Sequence, residues 1–227
     1  DWLDRLHSEL GLHGWSPAMA PIADKLGKNV PLSVEDGLVL YHHPDLHEVG
    51  ALANIVRKAR FGLKTFFNSN VHINQTNICV LACRFCAFRR GPKAQDAYAM
   101  SVDEYVADLS RYAHAVDEVH SVGGLHPDWG IEHYEALFAR VTNEHPHVSI
   151  KALTAVEIKH LSQRSSIPTK EVLRRLKNAG LTSLPGGGAE ILDDDVRAVI
   201  CNGKESSAEY LQIHREAHEV GLPSNCT

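Results

Sequence analysis

Apolar residues recur every three or four positions along the first 66 residues. Trp2, Leu3, Leu6 and Leu10 share one helical face, and Ser16-Pro17 opens a second helix that ends near Gly27. Ser33 opens a third, through Leu38 and Leu40, and Pro44-Asp45 starts a fourth with Val49, Leu52, Ile55, Val56 and Ala59 along one side. A period near 3.6 with a capping residue at the start predicts amphipathic helices. Residues 1–66 therefore read as an N-terminal helical extension.

From residue 67 the pattern alternates between short β-prone runs and helical periods. Strands are expected at Asn70–Asn77, Glu118–Val122, Val148–Leu153 and Leu181–Leu184. Between them, Ser101-x-x-Glu104 and Ser206-x-x-Glu209 are capping boxes, Gly130–Glu144 carries a helical apolar stripe, and Pro168-Thr169 begins a helix stopped by Gly180. Strands separated by helices make βα units on a parallel sheet. Residues 67–227 hold four full units and the approach to a fifth, short of the about 250 residues of a closed eight-unit barrel. The predicted fold is α/β, a partial (β/α)6 TIM-like barrel. The chain starts at Asp1 without Met and ends on LPSNCT, which reads as the entry to a strand, so the C-terminal part of the barrel is expected to lie outside it.

Composition narrows the class. At 44% hydrophobic and 22% charged residues the chain is an ordinary globular one, and its net charge of −5 leaves no basic footprint for nucleic acid or an anionic membrane. No run approaches the ~18 apolar residues of a membrane span. Five cysteines, odd in number and clustered, are no disulfide framework. Together these predict a reducing, cytoplasmic setting.

The clustered cysteines carry the chemistry. Cys79, Cys83 and Cys86 form a C-x3-C-x2-C run, CVLACRFC. Three soft thiolates on one loop can hold a metal centre, and a four-iron cube held by three cysteines instead of four keeps one iron open. Structural zinc would need a fourth ligand. Cys201 and Cys226 stand apart, but fifteen histidines could supply one, so zinc remains open on spacing alone. The run follows the first predicted strand. Gly123-Gly124-Leu125-His126-Pro127, Thr154–Glu157 and Pro185–Glu190 follow the next three, all at the strand ends where such barrels place their chemistry. Glycines can serve as plain turns, but a Gly186-Gly187-Gly188 run at a strand end also lets backbone approach a ligand.

At these segments the chain resembles the S-adenosylmethionine (SAM) radical enzymes, in the branch of the futalosine route to menaquinone. The matching blocks are HINQTNICVLACRFCAF (72–88), EVHSVGGLHPDWGIEHYEALF (118–138), IKALTAVEI (150–158) and SLPGGGAEI (183–191). VGGLHP and KALTAVEI point to the aminodeoxyfutalosine synthase family. The other blocks are shared with cyclic dehypoxanthine futalosine synthases and deazaflavin-cofactor synthases. The resemblance implies a 4Fe–4S cluster on Cys79, Cys83 and Cys86, with SAM consumed as a substrate. It implies a 5′-deoxyadenosyl radical that adds to 3-(1-carboxyvinyloxy)benzoate to give 6-amino-6-deoxyfutalosine, and an electron donor such as flavodoxin or ferredoxin.

The resemblance also suggests roles for residues beside the cluster. Phe85 would shield the cluster and lie by the adenine, and Gly123 and Gly124 would approach the methionine end of SAM. Leu125 stands where the family often has an acid, which makes Glu157 a candidate acceptor for the SAM amino group, though it reads equally as an N-capping or ion-paired carboxylate. Gly186 and Gly187 would lie by the ribose or adenine. Strand alternation puts His72, His120 and Lys151 on the inward face, where they are candidates to anchor the two carboxylates of the implied small-molecule substrate. His126 lies at the same end. A sister synthase, or a non-catalytic metal- or cluster-binding domain, are the competing readings.

Overall fold

A computed structural model describes residues 1–226. The chain divides into two compact units, Asp1–Phe67 and Asn68–Thr227. The first holds four helices: α1 (Trp2–Gly11), α2 (Ala20–Gly27), α3 (Val34–Tyr41) and α4 (Leu46–Phe61). Ser33 and Asp45 cap α3 and α4 with their side chains, as their positions predicted. α2 starts at Ala20, because Met19 and Ala20 donate to the Ser16 carbonyl and close a turn first. Leu6, Leu10, Met19, Ile22, Leu52, Ile55 and Ala59 form the core of this unit, and the Arg5 guanidinium donates to the Ala59 carbonyl at 2.8 Å.

The second unit is an α/β arc. Four parallel strands, β1 (Asn70–His72), β2 (Glu118–Ser121), β3 (Ser149–Ala152) and β4 (Leu181–Ser183), lie in sequence order. Helices α5 (Val102–Ser110), α6 (Ile131–Glu144), α7 (Ala155–Ser165), α8 (Thr169–Ala179), α9 (Asp194–Ile200) and α10 (Ser207–Glu219) complete it. The register builds rows across the sheet. Val119, Ile150 and Leu181 are cross-strand partners and lie buried in the core that the helices form with the sheet. His72, His120 and Lys151 are the next row, on the other face by alternation; a register shift between β3 and β4 then pairs Lys151 with Ser183. A parallel bridge between Leu184 and Ser224 brings the chain back alongside β4.

Three departures from the expected elements have local causes. β1 ends at His72 rather than Asn77, because the polar side chains of Gln75, Thr76 and Asn77 take backbone and side-chain partners outside the ladder. β3 stops at Ala152 and leaves out the expected Leu153. That residue turns to φ +61 and buries completely, bending the chain into α7, a helix opened by Thr154 and Glu157. α9 also went unforeseen; Asp193 caps it by accepting from the Val196 N–H at 3.0 Å.

Candidate functional site

The cysteine run lies in a loop without regular structure, fixed by its edges. Thr76 Oγ1 donates to the Tyr98 carbonyl at 2.7 Å and accepts from the Ile78 N–H at 3.0 Å. Asn77 uses both ends of its amide, donating to the Asp96 carbonyl at 2.9 Å and accepting from the Tyr98 N–H at 2.8 Å. Backbone bonds from Cys79 to Arg90, Val80 to Leu125 and Arg84 to Ile200 pin the loop on three sides. These side chains hold the first edge of the loop. Thr76 and Asn77 escaped the sequence argument as functional residues.

All three thiols are free, Cys79 and Cys83 half-buried and Cys86 exposed. Burial pushes the Cys83 thiol up; Lys204 opposes this, while Cys201, Cys79 and Cys86 add to it. The fold thus returns Cys201, remote in sequence, to the back of this loop, where it is buried. Thiolates crowded in this way repel one another, and a cationic centre between them relieves the repulsion. Among the described residues no set of His, Cys, Asp and Glu gathers into the shell of a single ion. Three soft thiolate donors on one loop suit an iron–sulfur cluster by their chemistry. Phe85, between Cys83 and Cys86, is half exposed, and the Lys204 ammonium lies 5.7 Å from its ring centre.

Gly123 and Gly124 are demanded by the chain itself. A side chain at Gly123 would meet Gln75 Nε2 at 2.8 Å, and one at Gly124 would collide with the Ile78 carbonyl. The turn after β2 packs directly beneath the entry to the cysteine loop. Glu157 braces it from below. Its carboxylate accepts from the Thr154 N–H and hydroxyl at 2.7 Å each and from the Gly123 N–H at 3.0 Å. Burial pushes this carboxyl up, and the hydrogen bonds from Thr154, Gly123 and Gln75 hold against it. Glu157 is 3% exposed, so its acceptor capacity is spent inside the protein. The Thr154-x-x-Glu157 spacing is a capping-box signal that could have announced this. Gln75, 1% exposed and 2.8 Å from Ser121 Oγ, joins the same buried network.

The triglycine turn is equally constrained. A side chain at Gly186 would come within 2.5 Å of the Cys226 backbone, and the Gly186 carbonyl accepts from the buried Tyr210 hydroxyl at 2.8 Å. Gly188 sits at φ +98. Arg197, 3% exposed, donates to the carbonyls of Ala189, Ile191 and Glu205 at 2.6, 3.1 and 2.7 Å. It also pairs with the Glu205 carboxylate at 3.2 Å.

The predicted substrate row converges in part. His120 and Lys151 are register partners and open onto one cavity of about 400 Å³, shared with Thr154, Gly186, Gly187 and Cys226. His72 stacks obliquely on His120, ring centres 4.9 Å apart, but is exposed beside the cavity. Burial holds His120 below the usual imidazole range, with His72 and Lys151 adding to the effect. His126 instead stacks on Trp129 at 4.4 Å, and Trp129 on His133 at 3.9 Å.

Comparison with known proteins decides the family. The model of the Radical SAM superfamily matches residues 73–227. The chain belongs to that superfamily. An aminodeoxyfutalosine synthase of Thermus thermophilus is 44% identical over 212 residues, 93% of this chain and 57% of that protein. A cyclic dehypoxanthine futalosine synthase of Streptomyces coelicolor is 36% identical over 218 residues, 92% of this chain and 54% of that protein. The chain thus spans about half the length of the curated relatives it matches. In structure it resembles methylornithine synthase, with a TM-score of 0.63 at 18% identity over 88% of this chain and 56% of that one. This likeness agrees with the partial barrel. Radical SAM enzymes use a 4Fe–4S cluster and SAM, and the three free cysteines on their pre-tied loop fit that group. No described helix is long and apolar enough to cross a membrane.

Proposed function

We propose that this chain is the radical-generating part of an aminodeoxyfutalosine synthase, joining the 5′-deoxyadenosyl group of SAM to 3-(1-carboxyvinyloxy)benzoate. The observation that carries the reading is the shared cavity of His120, Lys151 and the triglycine turn, taken with the 44% identical relative of that name. Cys79, Cys83 and Cys86 would hold the cluster, with Phe85 covering it. When bound, cluster and SAM supply the 5′-deoxyadenosyl radical, once an external one-electron carrier such as flavodoxin or ferredoxin has delivered an electron.

The chain's own residues position the partners. Gly123, Gly124, Gly186 and Gly187 present bare backbone for SAM. Glu157 serves the same end indirectly by holding the Gly123 turn. Lys151 brings positive charge to one substrate carboxylate. His120, whose imidazole burial holds below its usual range, offers a ring N–H to an oxygen. His72 extends the row toward the second carboxylate. Two anchored ends set the distance between the vinyl carbon and the nascent 5′ carbon, and a near-attack separation of about 3–3.5 Å is what such anchoring secures.

SAM labelled in its adenosine tests the reading. With the vinyl ether substrate, the label is expected in a nucleoside adduct, accompanied by bicarbonate from the lost carboxyl group. Label found solely as free 5′-deoxyadenosine would point to a sister synthase that abstracts hydrogen. Alanine at His72, His120 or Lys151 should uncouple the reaction, giving more free 5′-deoxyadenosine per product. Full coupling in all three variants would place the anchors elsewhere.

A further inference from the structure

α9 and α10 are joined by a turn that reaches both cofactor loops. At its start the Ile200 carbonyl accepts from the Arg84 N–H at 2.8 Å, inside the cysteine run. Further along, a side chain on Gly203 would meet Leu81 at 3.0 Å. Lys204 follows, and it reaches between the two loops. Its ammonium is 2.9 Å from Glu190 Oε1, two residues beyond the triglycine run, and 5.7 Å from the centre of the Phe85 ring. The Lys204 side chain is 9% exposed.

Two features set this pair apart from a surface ion pair. Glu190 is held at φ +52, a left-handed conformation that is strained for a non-glycine residue, and such strain concentrates at functional sites. The ammonium is also largely withdrawn from water, so its field reaches neighbouring groups with little screening. Arg197 bonds the carbonyls of Gly188, Ala189 and Ile191 and one oxygen of Glu205, so the triglycine turn is held without the Lys204–Glu190 pair. A cation 5.7 Å from the centre of the Phe85 ring, which falls between Cys83 and Cys86 in the sequence, lies beside the cysteine loop.

We propose that Lys204, oriented by Glu190, is a positioning residue that places a fixed positive charge beside the cysteine loop and so sets the reduction potential of the metal centre held there. The inference rests on the reading that Cys79, Cys83 and Cys86 hold the cluster. Reduction adds one electron from an external one-electron donor to the oxidised centre and releases nothing. The reduced centre is more negative by one charge, so a nearby cation favours it and a nearby anion disfavours it.

The test is a dithionite titration, with mediators and electron paramagnetic resonance detection, of the anaerobically reconstituted protein, alongside iron and sulfide content. Lys204→Met should retain iron yet show about a tenfold lower ratio of reduced to oxidised centre at a given solution potential, a shift of about 59 mV for one electron. Lys204→Arg should restore the wild-type potential. Glu190→Gln keeps an acceptor for the ammonium while removing its counter-charge, and should shift the potential the opposite way. A wild-type potential in fully loaded Lys204→Met, or shifts of the same sign in Lys204→Met and Glu190→Gln, would overturn the inference alone. Failure of the wild-type protein to take up iron and sulfide would overturn both it and the proposed function.

Discussion

The loop after β1 and the turn after β4 both carry candidate cofactor residues, yet one is largely exposed and the other is locked inside. The cysteine loop has no regular structure between Cys79 and Phe88; it is tied at its rims by Thr76, Asn77 and backbone bonds. The triglycine turn is crossed by the Cys226 backbone and gripped by one buried guanidinium. The difference reflects what each must do. Under the proposed function the three thiols close on a metal body, and the loop's ties run through its backbone at Cys79, Val80 and Arg84 and leave the thiols free. A turn that offers bare backbone to a ligand works by being in place already, because ordering it at binding would cost conformational entropy.

Four variants probe this contrast. Cys83→Ala should show the largest effect, because two remaining thiolates cannot hold the cube. Iron and SAM cleavage should both be lost while the fold persists, since the loop is tied elsewhere, and full cleavage would sink the ligand assignment. Arg197→Met strikes the rigid partner. It strands the Glu205 carboxylate, whose side chain is 0% exposed, and removing one member of a buried pair costs about 3–5 kcal/mol. Denaturant unfolding checks this, and a loss below about 1 kcal/mol, the scale of a surface pair, would show that the guanidinium clamps nothing.

Gly124→Ala tests the tie between the two regions. The added methyl meets the Ile78 carbonyl, and overpacking of this kind costs about 1–3 kcal/mol. The strain falls on the entry to the cysteine loop, so iron affinity should drop more than global stability does. Equal iron affinity in the variant would mean that the loop adapts freely.

The smallest effect concerns pH. Burial against Trp129 drives His133 down to about 4, while the unfolded imidazole titrates near its ordinary 6.5. Within that window the unfolded chain binds the extra proton, so stability falls as pH drops through it. His133→Phe keeps a ring on Trp129 and should flatten that part of the acid limb in melting temperatures read against pH. An unchanged limb would show that other groups carry the acid sensitivity.

Much of the fold could be read one residue at a time. Ser33, Ser101 and Ser206 announced their helices, and all three capping boxes are formed. The alternation of His120 with Val119, and of Lys151 with Ile150, foretold which side chains share a row. β1 was overextended because Ile73 and Asn74 continue the alternating pattern, while the partners that pull Thr76 and Asn77 off the sheet lie about twenty residues away. α7 was missed although Thr154 and Glu157 signal it, because Thr154–Glu157 was read as a site segment after the third strand and not as the start of a helix. The glycines meet a constraint that local sequence did not contain. Gly124 and Gly186 are crowded by Ile78 and Cys226, and proximity between distant backbone segments leaves no mark in either local sequence.

By itself the sequence determined the order of the four strands and most of the helices between them, the spacing of the cysteine run and the shared row of His120 and Lys151, because periodicity, capping and residue spacing act over a few residues. Only the tertiary structure decided that Glu157 braces Gly123, that Arg197 fastens the triglycine turn, and that Cys201 and Lys204 come up behind the cysteine loop. Each of those rests on a buried charge or thiol meeting a partner from another βα unit or helix turn. Its energetics depend on desolvation and distance, which exist only once the chain has closed around them.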